Sequence, residues 1–595
     1  MKAVSVVLKQ LMTTRSRFHE RERDDSFEGK LEKLRLNLNK IKDVFVRVKK
    51  NEEELLDTLA EVYEQLRKLE RRKLDEDMHR IWKFERRKLD EEMDGICKRI
   101  RECAEKLVPM DGFDESSKKK DPMPAQIFQP SQELHQPLQT SWPRADFYRL
   151  DSRTRGCLLS LVIFPENTVI RKRNVINLWI GEGLIEDSHD KKAEELGEDA
   201  IQNLLEFKVI ERYGNRKCPL FNKFRILPGV RHTLESYVLK EHHGHFIILF
   251  FDLGLVVRRV VLHQKKGTLD HVVRRAVLHQ KKGTFDLPPV PIHTIFNIGA
   301  SYLNCRPKWV TEFKKDLLVL QLGRWQDSPL HHIEVGSEKL LNELENLTQL
   351  RYLSLRGISR IFELPSSIAQ LERLLILDLK ACHNLETLPN DISSMKSLTH
   401  LILSQCYLLE GMPKGIDKLT NLQVLKGFVI SSSEKTPCRI SDLVNLKKLR
   451  RLSIHIGKEA VIRDREFESV KDFVALEHLK ISWRGSDPSY GNIHLPRGLR
   501  KLHLECFPRK SFEELFMPPK MEDVLTVREL NISGGKLESM DVDRKWRNVD
   551  TLRLKYLKQL NVDMQHLKTV IFPDLRYLEI KQISNHSHIE HKWNF

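Results

Sequence analysis

Apolar residues return on a fixed beat in the middle of this chain. Leu347-Leu350-Leu353-Leu355, Leu371-Leu374-Leu377-Leu379 and Met395-Leu398-Leu401-Leu403 are followed by Leu419, Leu422 and Leu425 with Gly427, each group starting 24 residues after the last. In each group the last two apolar residues flank one position, the alternation of a short strand. One such unit cannot bury its own leucines, but stacked neighbours bury them in a continuous core. Strand cores of the same kind recur with looser spacing at Leu452-Ile454, Leu479-Ile481, Leu502-Leu504, Leu530-Ile532, Leu552-Leu554 and Leu578-Ile580. The pattern predicts a solenoid over 317–595, whose curved face suits binding rather than chemistry.

The N-terminal part has a different period. Leu31, Leu34, Leu38, Ile41, Phe45 and Val48 step by three and four, as do Leu59, Val62, Leu66 and Leu69. That stepping gives one apolar stripe per helix. Striped helices pack on one another, so residues 1–107 predict an α-helical bundle, with an extended homotypic coiled coil as the rival. ERRKLDEDM at 70–78 returns as ERRKLDEEM at 85–93, an offset of 15 residues that lengthens a helix by about four turns. Six prolines among Gln, Ser and Lys then mark 108–144 as a linker.

Residues 145–245 recover a globular pattern. An apolar block around Leu158–Ile163 precedes a helix-like run from Arg173 to Gly181, broken by Gly181 and Gly183. A further helix, Ala193 to Leu205, leads into a hairpin strand at Val209–Tyr213. Helices followed by a hairpin form the order of a winged-helix domain. Residues 246–316 form a connector in which VVRRVVLHQKKGTLDH (256–271) and VVRRAVLHQKKGTFDL (272–287) are near-copies. The two copies are either the strands of one hairpin or one strand and a redundant insert.

The net charge of +17 allows contact with an acidic surface but does not require it. Nine scattered cysteines without a C-x-x-C read as reduced thiols of an intracellular protein. Cys382 and Cys406 sit at equivalent repeat positions, where the expected role is to fill the turn after a strand. The longest apolar run, Phe246 to Val257, is too short for a bilayer span of about 20 residues. His242-His243-His245 and His586-His588-His591 have no cysteine partners, so no metal is expected there. No G-x-S-x-G nucleophile motif occurs, and no enzyme activity or cofactor is expected.

The period of 24 and the spacing L-x-x-L-x-x-L-x-L are those of a leucine-rich repeat. GCLLSLVIFPE (156–166), LWIGEGLIED (178–187) and AEELGEDAIQNLLEFKVI (193–210) resemble the winged-helix region of plant coiled-coil nucleotide-binding leucine-rich-repeat receptors, the NLR family, most closely the relatives of downy-mildew resistance proteins. L-P-S-S-I-x-x-L (364–371) and the N-terminal helices fit the same resemblance. It implies a multidomain fold: an N-terminal helical bundle or coiled coil, a winged helix, and a C-terminal α/β leucine-rich-repeat solenoid.

Two departures shape the functional expectation. Such receptors carry a P-loop domain between the helical domain and the winged helix, where this chain has a 37-residue linker. A P-loop needs G-x-x-x-x-G-K-[ST] so that backbone N–H groups cradle phosphates, and no such string occurs anywhere in the sequence. The family's Met-His-Asp nucleotide sensor aligns with Ile226-Leu227-Pro228, whose side chains cannot hydrogen-bond a phosphate.

The expected work is therefore protein–protein recognition in plant innate immunity without a nucleotide switch. The concave repeat face is the candidate site, through Tyr352, Arg356, Lys380, His400, Arg451, His455, Lys480, Lys501, Arg553 and Lys555. The partners implied are a pathogen effector or a guarded host protein, and complete NLR receptors through the helical domain. The implied location is the cytoplasm, with peripheral membrane or nuclear association allowed. The rivals are a DNA reader that presents Arg171–Asn177 to the major groove, with nucleic acid disfavoured, and a non-functional truncated receptor fragment.

Overall fold

The computed structural model describes residues 142–234 and 292–581 apart from breaks within them, together with the backbone of three strands between 246 and 278. The helices expected over 1–107, their tandem copy, the linker up to 141 and both His clusters lie outside the described residues.

The winged helix starts with α1 (Arg144–Arg149) and α2 (Ser152–Ser160). Asp151 caps α2, its carboxylate accepting from Thr154 N at 2.9 Å. After β1 (Ile170–Arg171) come α3 (Lys172–Glu182) and α4 (Ala193–Glu206), then β2 (Ile210–Arg212) and β3 (Lys223–Ile226). The three strands form one antiparallel sheet in the order β1-β3-β2. Trp179 Nε1 donates to Ser160 Oγ at 2.6 Å, which ties α3 to α2 within a fully buried core. Only one of the two expected helix breakers acts. Gly183 adopts φ +75° and ends α3, with Leu184 N bonding back to Trp179 O at 2.9 Å. Gly181 stays helical, for a packing reason described below.

The repeats build a 15-stranded sheet that extends upstream of residue 317. Its strands are β4 (Phe246–Phe251), β5 (Arg258–Arg259), β6 (Val273–Leu278), β7 (Thr294–Asn297) and β9 (Val319–Gln321), then β11 (Tyr352–Ser354), β12 (Ile376–Asp378), β13 (His400–Ile402), β14 (Val424–Ile430), β15 (Arg451–Ile456), β16 (His478–Trp483), β17 (Lys501–Phe507), β18 (Glu529–Gly535), β19 (Thr551–Lys555) and β20 (Tyr577–Lys581). A separate parallel pair joins β8 (Tyr302–Leu303) to β10 (Glu334–Val335). Among the described residues, the strands of the two copies do not pair with each other. Arg258–Arg259 of the first copy pairs antiparallel with β4, whereas β6 of the second copy inserts in parallel between β4 and β7.

The quartet leucines are buried throughout, in one core that runs along the sheet. Each contributes about 1.5–3 kcal/mol on burial, so stability is spread along the stack. A residue with positive φ follows β11, β12, β13 and β19, at Gly357, Ala381, Gln405 and Tyr556, and one stands near the end of β17 and of β18, at Cys506 and Gly534. The expected turn role of the paired cysteines is seen in the next position. Cys382 Sγ and Cys406 Sγ donate to the carbonyls of Leu355 and Leu379 at 3.1 Å, one repeat back. Burial pushes the Cys382 thiol up to about 12, so it is a packing group rather than a nucleophile.

Leu401 is fully buried, and a Cβ on Gly427 (φ +84°) would lie 2.6 Å from the Leu403 carbonyl carbon. Leu401→Ala is expected to cost ~2–5 kcal/mol. Gly427→Ala is expected to cost ~1–3 kcal/mol. Both appear as lower midpoints in thermal melts followed by circular dichroism, and unchanged midpoints would contradict the stacking described.

Candidate functional site

Helix α3 lies on the concave face of the first repeats, over β9 and β11. A Cβ on Gly181 would sit 2.6 Å from Tyr352 Cβ and 3.0 Å from Val319 Cγ2, so the helix can approach this closely only with glycine there. Phe164 packs edge-on against Phe296 at 5.4 Å and tilted on Trp325 at 5.2 Å. Polar groups close the seam. Thr294 Oγ1 donates to Glu182 Oε1 at 2.9 Å, and Asn174 Nδ2 donates to Trp325 O at 2.9 Å.

The first turn of α4 carries the central charge. Asp187 Oδ1 accepts from Ala193 N at 2.9 Å and fixes the start of the helix. Acidic residues suit a helix N-terminus, and both Glu194 and Glu195 stand there. Glu194 is buried and reaches three cationic or cation-forming side chains: Arg173 Nη1 at 2.8 Å, His400 Nε2 at 3.1 Å and Arg451 Nη2 at 3.1 Å. Burial alone would raise the Glu194 carboxyl; Arg173 and the His400 hydrogen bond outweigh it and hold the group well below the usual carboxylate range. Around the rim, Arg450 joins Glu195 at 2.5 Å and Glu477 at 3.0 Å, and Arg351 meets Glu186 at 2.8 Å. The winged helix and the repeats are thus clasped by a buried carboxylate inside a ring of partly exposed pairs.

This clasp divides the residues named from sequence into two sets. Tyr352, Arg356, Lys380, His400 and Arg451 lie at the winged-helix seam. Tyr352 is buried, its hydroxyl donating to Gln321 Oε1 at 2.7 Å. Arg356 is buried and its Nη1 donates to Asn174 Oδ1 at 3.3 Å. His400 and Arg451 hold Glu194, and Lys380 stands on the next strand to Arg356 in the field of Arg171. The second set lies beyond the clasp, paired across neighbouring strands. His455 Nδ1 meets Ser482 Oγ at 2.8 Å, Lys480 meets Glu505 at 2.6 Å and Lys501 meets Glu529 at 2.6 Å. Arg553 meets Glu579 at 3.1 Å and also Glu529, and Lys555 meets Glu579 at 2.5 Å. The basic row is in fact a mixed-charge ladder, with Glu505, Glu529 and Glu579 in the same outward register as the cations.

Residues 171–177 do not stand free for a nucleic-acid groove. Arg173 and Asn174 are engaged as above, and Val175, Ile176 and Asn177 are buried. Sequence reasoning missed Glu194, Glu195 and Arg450, because nothing in the winged-helix motif or the repeats that contain them sets them apart from ordinary surface charges. Among the described residues no cluster of His, Cys, Asp or Glu could hold a metal, and no helix is long and apolar enough to cross a membrane.

Family comparisons match this architecture segment by segment. The profile for the winged-helix domain of disease resistance proteins matches residues 163–225, and the profile for a leucine-rich repeat region matches 310–591. Both matched segments are similar to those of NLR-like disease resistance proteins of plants. The disease resistance RPP13-like protein 4 of Arabidopsis thaliana is 26% identical over 472 residues, covering 73% of this chain and 50% of that relative. A probable disease resistance protein of the same plant is 28% identical over 92 residues, 16% of this chain and 9% of the relative. The chain therefore spans half or less of the length of these relatives. A leucine-rich-repeat protein of Leptospira interrogans has 19% identity and a TM-score of 0.26, over 41% of this chain and 67% of that one. That superposition is too distant to carry an argument.

Two predictions follow from the charges. Because the Glu194 carboxyl is held below its ordinary value near 4.5, its contribution to stability is present above that pH and lost as pH falls through the depressed folded value. Glu194→Gln is expected to cost up to ~3–5 kcal/mol at pH 7, with variant and wild-type melting midpoints converging in strong acid. Equal midpoints at pH 7 would contradict the clasp. Burial and nearby cations also push His478 and His503 down to about 4, so both fold neutral. Their contribution is full above the unfolded value near 6.5 and is lost as pH falls toward about 4. Replacing both by Gln should flatten the acid side of the stability curve between those values, and an unchanged acid limb would contradict their buried neutral state.

Proposed function

We propose that this chain is a recognition protein of plant disease resistance that captures a protein partner on the C-terminal half of its concave face, from β16 to β19. The observation that carries this reading is the clasp: the winged helix covers the first strands of the concave face, and the mixed-charge ladder lies beyond it. A partner of complementary charge pattern can exchange its own carboxylates and cations for those of the ladder, which confers specificity of register more than raw affinity. Pathogen effectors and guarded host proteins are the partner classes implied by the family resemblance, and complete NLR receptors are the partner class proposed for residues 1–107, whose sequence pattern is that of helices. No catalytic role is assigned, and the cytoplasm is the compartment that suits the reduced cysteines.

The chain works without a nucleotide switch on this reading. The absence of a P-loop string and the presence of Leu227 and Pro228 at the sensor positions support it. The clasp would then hold winged helix and repeats together through protein groups alone. A DNA-reading role draws less support, since Arg173 and Asn174 are engaged at the seam.

Charge reversal at Lys480, Lys501, Arg553 and Lys555 together is expected to abolish co-purification of the partner from infected plant tissue, while the same change at exposed Lys510 and Lys536 leaves it intact. Equal capture by both variants would overturn the assignment. Purified protein denatured and resolved by chromatography should release no ADP; about one ADP per chain would contradict the switch-free reading.

A further inference from the structure

The residues just before each repeat strand form a row along the N-terminal ends of the strands. Backbone bonds of 2.8–3.0 Å join this row without a break from Arg351, before β11, to Arg576, before β20, each amide donating to the carbonyl of the equivalent residue one repeat back. The winged helix occupies the first half of the row with one acidic segment, 182–195, which holds six carboxylates against two lysines. Glu186 meets Arg351 at 2.8 Å, Asp187 Oδ2 accepts from Gln423 Nε2 at 3.4 Å and Glu195 meets Arg450 at 2.5 Å. In each of these contacts the acceptor comes from the winged helix and the donor from the row. Glu477, next in the row, is taken by the same Arg450 guanidinium at 3.0 Å.

The second half repeats the cationic side of that pattern without the acidic segment. Arg500, Arg528 and Arg576 stand before β17, β18 and β20. All three are exposed, and their side chains make no hydrogen bond or ion pair among the described residues. Arg500 and Arg528 are neighbours in the row, joined by the Arg528 N to Arg500 O bond of 2.8 Å, so their backbones lie one strand spacing, about 5 Å, apart. Like charges on directly opposed positions of adjacent strands repel, and an anion shared between them relieves that cost. Asp550, between Arg528 and Arg576, is the acidic position of this half, and its carboxylate accepts from Thr551 Oγ1 at 2.8 Å. These arginines precede their strands, so they lie outside the ladder to which partner capture is assigned.

We propose that Arg500 and Arg528, with Arg576 farther along, form a docking rim for an acidic segment of a partner protein, seated as 182–195 is seated on the first half of the row. Two features point to this occupant. The rim continues an interface that already takes carboxylates from a peptide segment, in the same register of the same row. Arginine also matches carboxylates through paired parallel hydrogen bonds, and arginine clusters are a recurring device for capturing acidic motifs.

The test is fluorescence anisotropy on the full chain with a labelled hexaglutamate peptide at low salt. Wild-type protein is expected to bind it, and the affinity should fall as added NaCl screens the exposed charges. Arg500→Glu/Arg528→Glu is expected to bind at least tenfold more weakly. Lys536→Glu/Lys558→Glu, at exposed cations beyond the opposite ends of β18 and β19, is expected to stay within twofold of wild type. The two variants change the net charge equally, so their comparison separates a local rim from the general attraction of a basic chain. All four side chains are exposed, and both variants are expected to melt with wild type, which separates a lost site from a lost fold. Phosphatidylserine vesicles and a single-stranded oligonucleotide present other anions to the same rim. Tenfold tighter binding of either, lost in the arginine variant, would overturn the assignment to an acidic protein segment. No hexaglutamate binding by wild type, or equal affinity in the two double variants, would overturn the rim itself. None of these outcomes bears on partner capture by the β16–β19 ladder.

Discussion

A carboxylate buried where two domains meet must be neutralised by both of them or not be buried at all. Glu194 meets that constraint by taking one cation from its own domain, Arg173, and two groups from the repeats, His400 and Arg451. Removing any one member would strand charge in the seam, so the arrangement is closer to a lock than to a loose contact. Gly181 provides the matching steric condition, since the helix can reach Tyr352 only without a side chain at that position. Electrostatics and packing therefore specify the same docking of winged helix on sheet.

That docking determines which parts of the solenoid are available. Stacked repeats offer a long face whose outward positions look equivalent in sequence. The clasp makes them unequal. Positions on β11–β15 near α3 and α4 serve the interior of the molecule, and those on β16–β20 form a ladder of cross-strand pairs on the remaining face. Individually such pairs are worth little, but a regular series imposes a charge register on anything that binds.

Much of the fold was legible from periodicity. The leucine beat placed β11–β14 and their core, because a repeat writes its contacts into sequence spacing. The helix–helix–hairpin order of 170–226 was legible for a related reason: apolar stripes and turn residues are local signals. The seam was not. Glu194 looks like an ordinary acidic residue in a first helical turn, and nothing near it in sequence signals that Arg451 will lie against it. Tyr352 and Arg356 stand on the outward positions of their repeats, yet outward from the leucine core is here inward toward the winged helix. The alternation of strands gives the face of a side chain but not what covers that face. For the same reason the fate of the duplicated 256–287 segment was open, since two similar strands can pair with each other or with the existing sheet.

The central claim is that Glu194 and Arg451 stabilise one docked arrangement of winged helix and repeats. A double-mutant cycle tests it most directly, with Glu194→Gln, Arg451→Met and the pair compared by thermal unfolding at pH 7. The account predicts a coupling energy above about 1 kcal/mol, as expected for residues in one buried network. Additive effects of the two substitutions would contradict it, because they would mean that the two side chains do not meet in solution.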